Sequence, residues 1–225
     1  AQHREYVQGD EIRRVDWKVF AKTDRYYVRE YEEETNLRAM LLLDASGSMA
    51  YAGESGITKL QHALKLAACL AHIIMKQSDS IGLMTFDTKI RTHIPPRSSI
   101  RHLRVLYEEM INTKPGGETD LSGVFHDIVP RIHKRGMVFI LSDCFTEVKE
   151  LLASLAHFRR ASHEVVIFHV MDRDEVEFPF DAWTRFENLE RMAEFRMVDP
   201  ASFRAAYLDN FAKFTEALKD GCQRH

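Results

Sequence analysis

Several features that mark common protein classes are scarce or missing in this chain. Its 225 residues hold three cysteines. Cys69, Cys144 and Cys222 are an odd set without metal-site spacing. That excludes a disulfide framework and reads plainly as reduced thiols in a cytoplasmic protein. No apolar run approaches the roughly 20 residues that a bilayer span requires, so no membrane span is expected here. Neither sign of charge dominates: 31 basic residues face 34 acidic ones, for a formal net charge of −3. This removes the usual case for nucleic acid or an anionic membrane as partner. Internal repeats and low-complexity tracts are absent. The initiator methionine is also missing, and "AQHREY" reads as a cut into a longer chain, which leaves an upstream anchor open.

What is present is 45% hydrophobic content, enough for one well-packed core and too little for two comfortable domains. Apolar strand-like runs alternate with helical patterns. "LRAMLLLD" reads as a fully buried strand. Apolar spacing predicts a helix from Ile57 to Gln77. "SIGLMTF" and "TKIRTHI" are strands joined by a turn at Phe86-Asp87-Thr88, too short for a parallel crossover, so this pair is expected to be antiparallel. "SIRHLRVLYEEMI" predicts a helix with Ile100, Leu103, Leu106 and Met110 inward. After the loop "KPGGETD", Asp120 or Thr119 caps a helix from Leu121 to about Ile132. "GMVFILSD" and "EVVIFHV" are buried strands around the helix "EVKELLASLAHFRR". "FPFDAW" opens an irregular section. The final helix has Asp199 as cap, Pro200 at its first position and Gly221 just past its end. The pattern predicts an α/β fold: a doubly wound, mostly parallel sheet with helices on both faces and one antiparallel edge strand. Residues 1–35 differ. "DEIRRVDWKVFAK" predicts a short helix with Ile12, Val15 and Val19 on one face, and "RYYVREYEEE" is polar and extended. This segment is expected to be an arm packed on the domain formed by residues 36–225. Arg13, Arg14 and Asp16 are either a partner surface or an ion-paired, solvated helix face.

In parallel sheets, ligands sit outside the carboxyl ends of the strands, at the switch point in strand order. Three loops bring oxygen groups to that edge: Asp44, Ser46 and Ser48 in "DASGSM", Thr119 in "GGETD", and Asp143 in "FILSDC". These short side chains with hard oxygen atoms suit a divalent cation, Mg²⁺ or else Mn²⁺ or Ca²⁺. Each piece alone is an ordinary cap or turn former. Capping explains the two serines poorly, however, because "MAYAGESG" separates them from the next helix, and three such pieces in order favour a metal site. Other chemistries fit less well. "ASGSM" is not a nucleophile elbow, and no histidine lies in these loops, with His126 and His133 deeper in a helix pattern. "AGESGITK" lacks the spacing of a phosphate-binding loop, and no Lys or Arg is expected to accompany the two Asp loops. Cys144 reads as a small buried residue.

"DASGSM", Thr119 in a glycine-preceded loop and Asp143 after a strand together resemble the metal-ion-dependent adhesion site of von Willebrand factor A domains. The stretch "YVQGDEIRRVDWKVFAKTDRYYVREYEEE" before "LLLDASGSM" is similar to the bacterial family known as domain of unknown function 58, over nearly the whole chain. The resemblance implies an A-type doubly wound fold. It implies that Ser46, Ser48 and Thr119 contact the ion while Asp44 and Asp143 bind it directly or through water. It also implies an open coordination position, filled by a Glu or Asp of a protein partner. Glu118 and Asp120 flank Thr119, a departure that would close the site if either acid swung to the ion. The family is associated with MoxR-type AAA+ ATPases, so the expected function is a metal-dependent adaptor in chaperone-like assembly or maturation. The alternative is a metal-dependent phosphohydrolase or nucleotide-binding domain using the same edge. The family also carries a strand after such a final helix. The chain is therefore expected to stop short of it, leaving "EVVIFHV" as an apolar edge unless the arm or a second molecule covers it.

Overall fold

The computed structural model describes residues 2–30, 37–190 and 195–224. Its contacts divide the chain into two units, residues 1–36 and residues 37–225. The first unit is built on an antiparallel pair, β1 (Gln2–Glu5) and β2 (Tyr27–Glu30), with Glu5 opposite Tyr27. Between them the expected helix divides at Asp16. A 3₁₀ turn covers Ile12–Arg14, and α1 runs over Trp17–Thr23. The cause is local, because the Asp16 carboxylate accepts from the amides of Lys18 and Val19 and so caps α1. Asp16 is thereby buried rather than offered to a partner, and Ile12 is exposed while Val15 is buried. The acidic run Glu32–Glu34 lies outside the described residues.

The second unit carries a five-stranded sheet in the order β5-β4-β3-β6-β7. Its strands are β3 (Arg38–Asp44), β4 (Ser80–Phe86), β5 (Ile90–Arg97), β6 (Met137–Ser142) and β7 (Glu164–His169). All pairings are parallel except β4 with β5, the short turn that sequence spacing marked as antiparallel. Helices α2 (Lys59–Lys76) and α3 (Ile100–Asn112) cover one face. The other face is covered by α4 (Leu121–Ile128), α5 (Val148–Arg160) and α7 (Pro200–Arg224). The fold expected from the sequence pattern, doubly wound with one antiparallel edge strand, is the fold observed.

The central strand explains the run of leucines. Leu41 and Leu43 join the core under α2 and α3, while Met40 and Leu42 join Phe125 and Phe158 on the opposite face. A strand covered on both faces has no polar side to show, and each such leucine contributes about 2 kcal/mol by burial. On α2, Ala63, Ala67 and Ala71 are fully buried, and these small residues let the helix lie close to the sheet. Thr58 and Gln61 form a reciprocal cap that starts α2 at Lys59.

Three details differ from the pattern-based expectation. Ile100 is 88% exposed, because the Ser99 cap places it at the first position of α3, and His102 turns inward instead to bond the Ile81 carbonyl. Helix α4 stops at Ile128, where Pro130 belongs to a 3₁₀ turn over Val129–Arg131. Gly221 lies inside α7 rather than past its end, since a Cβ there would overlap the Leu152 side chain of α5. Here glycine serves close helix packing, not termination. The section after β7 is less irregular than expected. It holds the short helix α6 (Arg173–Glu177) and a hairpin of β8 (Thr184–Glu187) with β9 (Phe195–Val198). Phe178 packs ring to ring with Phe180 and Phe186 on one side and with Phe203 and Tyr207 of α7 on the other, which holds this hairpin on the domain.

Candidate functional site

Strand order changes direction between β3, followed by β4 on one side, and β6 on the other. Asp44 ends β3 and Asp143 follows β6, so the two acids flank the switch point. Asp44 has no exposed surface. One carboxylate oxygen accepts from the Ser46 amide at 2.9 Å and the other from the Ser142 hydroxyl at 2.6 Å. Burial, and next the charge of Asp143, push the Asp44 carboxyl up to about 6, against the opposing hydrogen bonds from Ser142 and Ser46. Ser46 begins a 3₁₀ turn over Gly47–Ala50, but its hydroxyl makes no cap. That hydroxyl instead lies 3.1 Å from the hydroxyl of Ser48. Both serines are therefore turned the same way without a structural duty at a helix end.

The Thr119 loop is sewn to this turn by two main-chain bonds, Gly47 N–H to the Gly117 carbonyl at 2.9 Å and Gly116 N–H to the Ala45 carbonyl at 3.0 Å. Gly117 has φ 84°, the left-handed conformation that glycine tolerates best. From β5, Arg91 clamps the same loop. Its guanidinium donates to the carbonyls of Lys114, at 2.7 Å, and of Gly116, while Asp87 accepts from its Nε at 2.7 Å. Sequence reasoning did not reach Arg91, whose loop partners Lys114 and Gly116 lie more than twenty residues away. Of the two acids beside Thr119, Asp120 is committed to capping α4 through the Gly123 amide. The acid that meets Thr119 is a different one. The Thr119 hydroxyl donates to Glu190 Oε1 at 2.7 Å.

Asp143 is 4% exposed and meets a cation that its own loop does not supply. Lys59, at the first position of α2, donates to Asp143 Oδ2 at 2.8 Å and to Glu175 Oε1 at 2.6 Å. The expectation that no Lys or Arg accompanies the Asp loops is corrected here: the cation comes from a helix start 84 positions away in sequence. Burial opposes the Lys59 charge, but Asp143 and Glu175 outweigh it and hold the ammonium above the usual lysine range. Asp143 also accepts from the Phe145 amide, and its carbonyl bonds the His169 ring at 2.9 Å. Cys144 between them is buried and sits at φ 53°, a conformation rare for a side chain of this type, and its amide is held by the Ser142 hydroxyl. Phe145 is 76% exposed. It lines, with His169, Tyr207, Phe211 and Phe214, an apolar cavity of about 380 Å³ beside Asp143.

The structure thus brings together all five predicted residues. Asp44, Ser46 and Ser48 share one turn, Thr119 is tied to it through the main chain, and Asp143 is coupled through Ser142 and by charge. The set fits a divalent cation on chemical grounds. It offers two carboxylates and three hydroxyls, and a buried Asp44 whose charge has no basic partner of its own among the described residues, where Lys59 is taken by Asp143 and Glu175. Gly47 suits the cradle, because a Cβ there would overlap the Leu189 carbonyl oxygen. No helix among the described residues is long and apolar enough to cross a membrane.

The chain is similar to several known proteins. Uncharacterized protein Rv1480 of Mycobacterium tuberculosis is 27% identical over 220 residues, and so is Uncharacterized protein Mb1516 of Mycobacterium bovis. The match covers 95% of this chain but 66% of either relative, so the chain spans just under two thirds of their length. Among solved structures, an aerotolerance-related membrane protein from Bacteroides fragilis shares the fold, with a TM-score of 0.52 at 15% identity over 82% of this chain and 94% of that one. BatB, a conserved hypothetical protein from Bacteroides thetaiotaomicron, gives a TM-score of 0.46 at 14% identity, over 83% and 96% of the two chains. A family model matches residues 2–217, and on that match the chain belongs to the family described as protein of unknown function DUF58.

Proposed function

We propose that this chain is a metal-dependent protein-binding domain, an adaptor that works with a MoxR-type AAA+ ATPase in chaperone-like assembly or maturation. The observation that carries the reading is the pair of serine hydroxyls 3.1 Å apart, free of capping duty, beside an Asp44 carboxylate that lacks a cation of its own among the described residues. Ser46, Ser48 and Thr119 would hold Mg²⁺ with Asp44 and Asp143. When bound, the cation supplies a positive pole for an incoming carboxylate. Three of its five protein ligands are neutral hydroxyls, so the protein withholds negative charge that a partner's Glu or Asp then provides. Phe145 and the apolar cavity beside Asp143 add surface for a protein partner, which a single carboxylate contact needs to reach useful affinity.

The phosphohydrolase alternative gains little from Lys59. Its ammonium is 3% exposed and occupied by two carboxylates, so it is not offered to a phosphate. The test of the proposal is capture from a lysate on immobilised protein. Wild type in Mg²⁺ should retain an ATPase that Asp44→Ala, and wild type in chelator, both lose. Equal capture in chelator would leave the site a structural one.

A further inference from the structure

The hairpin between α6 and α7 brings an acid to the rim of the site. Glu190 lies just after β8, and its Oε1 accepts the Thr119 hydroxyl at 2.7 Å. Two further contacts hold the segment there. The Glu190 amide donates to Asn188 Oδ1 at 3.0 Å, a local turn that sets the direction of the chain. The Leu189 carbonyl lies against Gly47, so closely that no side chain larger than hydrogen fits at position 47. The segment Asn188–Glu190 therefore sits directly on the serine turn. Glu190 itself is half-buried, and the phenylalanine cluster behind it anchors the hairpin.

A threonine hydroxyl has one hydrogen and two lone pairs. In Thr119 the hydrogen is committed to Glu190, which leaves the lone pairs for a cation. A carboxylate one hydrogen bond from a cation ligand, on a site whose protein donors are mostly neutral, is drawn to the same ion. We infer that Glu190 is an internal ligand of the site, taking the coordination position that a partner's carboxylate would otherwise fill. This rests on the metal-binding reading above and adds a regulatory element to it. Partner and Glu190 compete, so a partner binds by displacing Asn188–Glu190 from the serine turn. The flanking acids are poorer candidates, since Asp120 is spent on its helix and Thr119 points to Glu190.

The probe is Mn²⁺, titrated into wild type and Glu190→Gln, with calorimetry for affinity and water-proton relaxation for the number of ion-bound waters. Glutamine keeps the size of the side chain and can still accept from Thr119, so only the charge and its pull on the ion are lost. The variant should bind Mn²⁺ about tenfold more weakly and carry one additional water, since carboxylate count tunes the affinity of such sites. Added acetate should remove that water from the variant and leave wild type unchanged. Equal affinity and equal water number would overturn the inference while the metal site stands. A fall in affinity without the added water would also overturn it, because an acceptor that only orients Thr119 gives that result. If wild type takes up no Mn²⁺, the metal reading fails and this inference with it.

Discussion

Lys59 and Asp143 form a 2.8 Å ion pair in which each side chain is only 3% exposed. Removing one member of such a pair strands a buried charge, which costs about 3–5 kcal/mol. Lys59→Met should therefore lower stability to urea by a large fraction of that amount. The loss should shrink in Mg²⁺, because the released Asp143 then finds a second cation. Lys59→Met combined with Asp143→Asn should lose less than the two single changes added together. Additive losses would show that the pair is not coupled in solution.

Asp44 carries the opposite problem, a buried carboxylate without a basic partner among the described residues. Its folded value of about 6 lies above the ordinary 3.8. The stability it contributes is thus full below the unfolded value and lost as pH rises through the folded one. At neutral pH the cation-free protein has lost it, at a cost of up to about 3 kcal/mol for a shift of this size. Asp44→Asn should raise the melting temperature in chelator by a few degrees and abolish the further rise that Mg²⁺ gives wild type. If Asp44→Asn melts lower in chelator, or still responds to Mg²⁺, the buried charge is not the source of the effect.

The sheet and its order of elements were legible because fully buried strands such as Leu41–Leu43 leave an unbroken apolar run, and helices such as α2 repeat alanine at one face. The places of Asp44 and Asp143 were legible for a related reason: strand ends are marked by where the apolar run stops, and both acids stand at those stops. Lys59, Arg91 and Glu190 were not legible. Each acts across a long sequence separation, on a partner that only tertiary packing brings near, and each looks locally like an ordinary surface charge. Gly221 misled for the complementary reason, since a glycine near a helix end satisfies the termination rule and the packing rule alike.

His163, just before β7, gives the fold an acid limit. It is 5% exposed, both ring nitrogens are buried without a hydrogen-bond partner among the described residues, and burial holds the ring below the usual histidine range. The folded protein keeps the ring neutral, while the unfolded chain takes up a proton as pH falls below about 6.5. Stability contributed by the neutral ring is present above that pH and is lost as pH falls from there toward the lower folded value. His163→Gln should flatten the fall in melting temperature between pH 7.5 and 5. An unchanged slope would assign the acid limit to other groups.

Arg91 should act on the site without touching it. Its guanidinium holds the carbonyls of Lys114 and Gly116, and Gly116 and Gly117 in turn bond Ala45 and Gly47 beside the serines. Removing the clamp leaves α4 and its Asp120 cap in place, so the core is spared, but the position of Thr119 is no longer fixed from both sides. Arg91→Ala should therefore weaken Mn²⁺ binding about tenfold, the low end of what supporting residues contribute to metal sites. Amide exchange across residues 114–119 should rise while β3 and β6 stay protected. Arg91→Lys should rescue little, because an ammonium cannot span two carbonyls and Asp87 as the planar fork does. Full Mn²⁺ affinity in Arg91→Ala, with the exchange of the loop unchanged, would mean that the two main-chain bonds alone position Thr119.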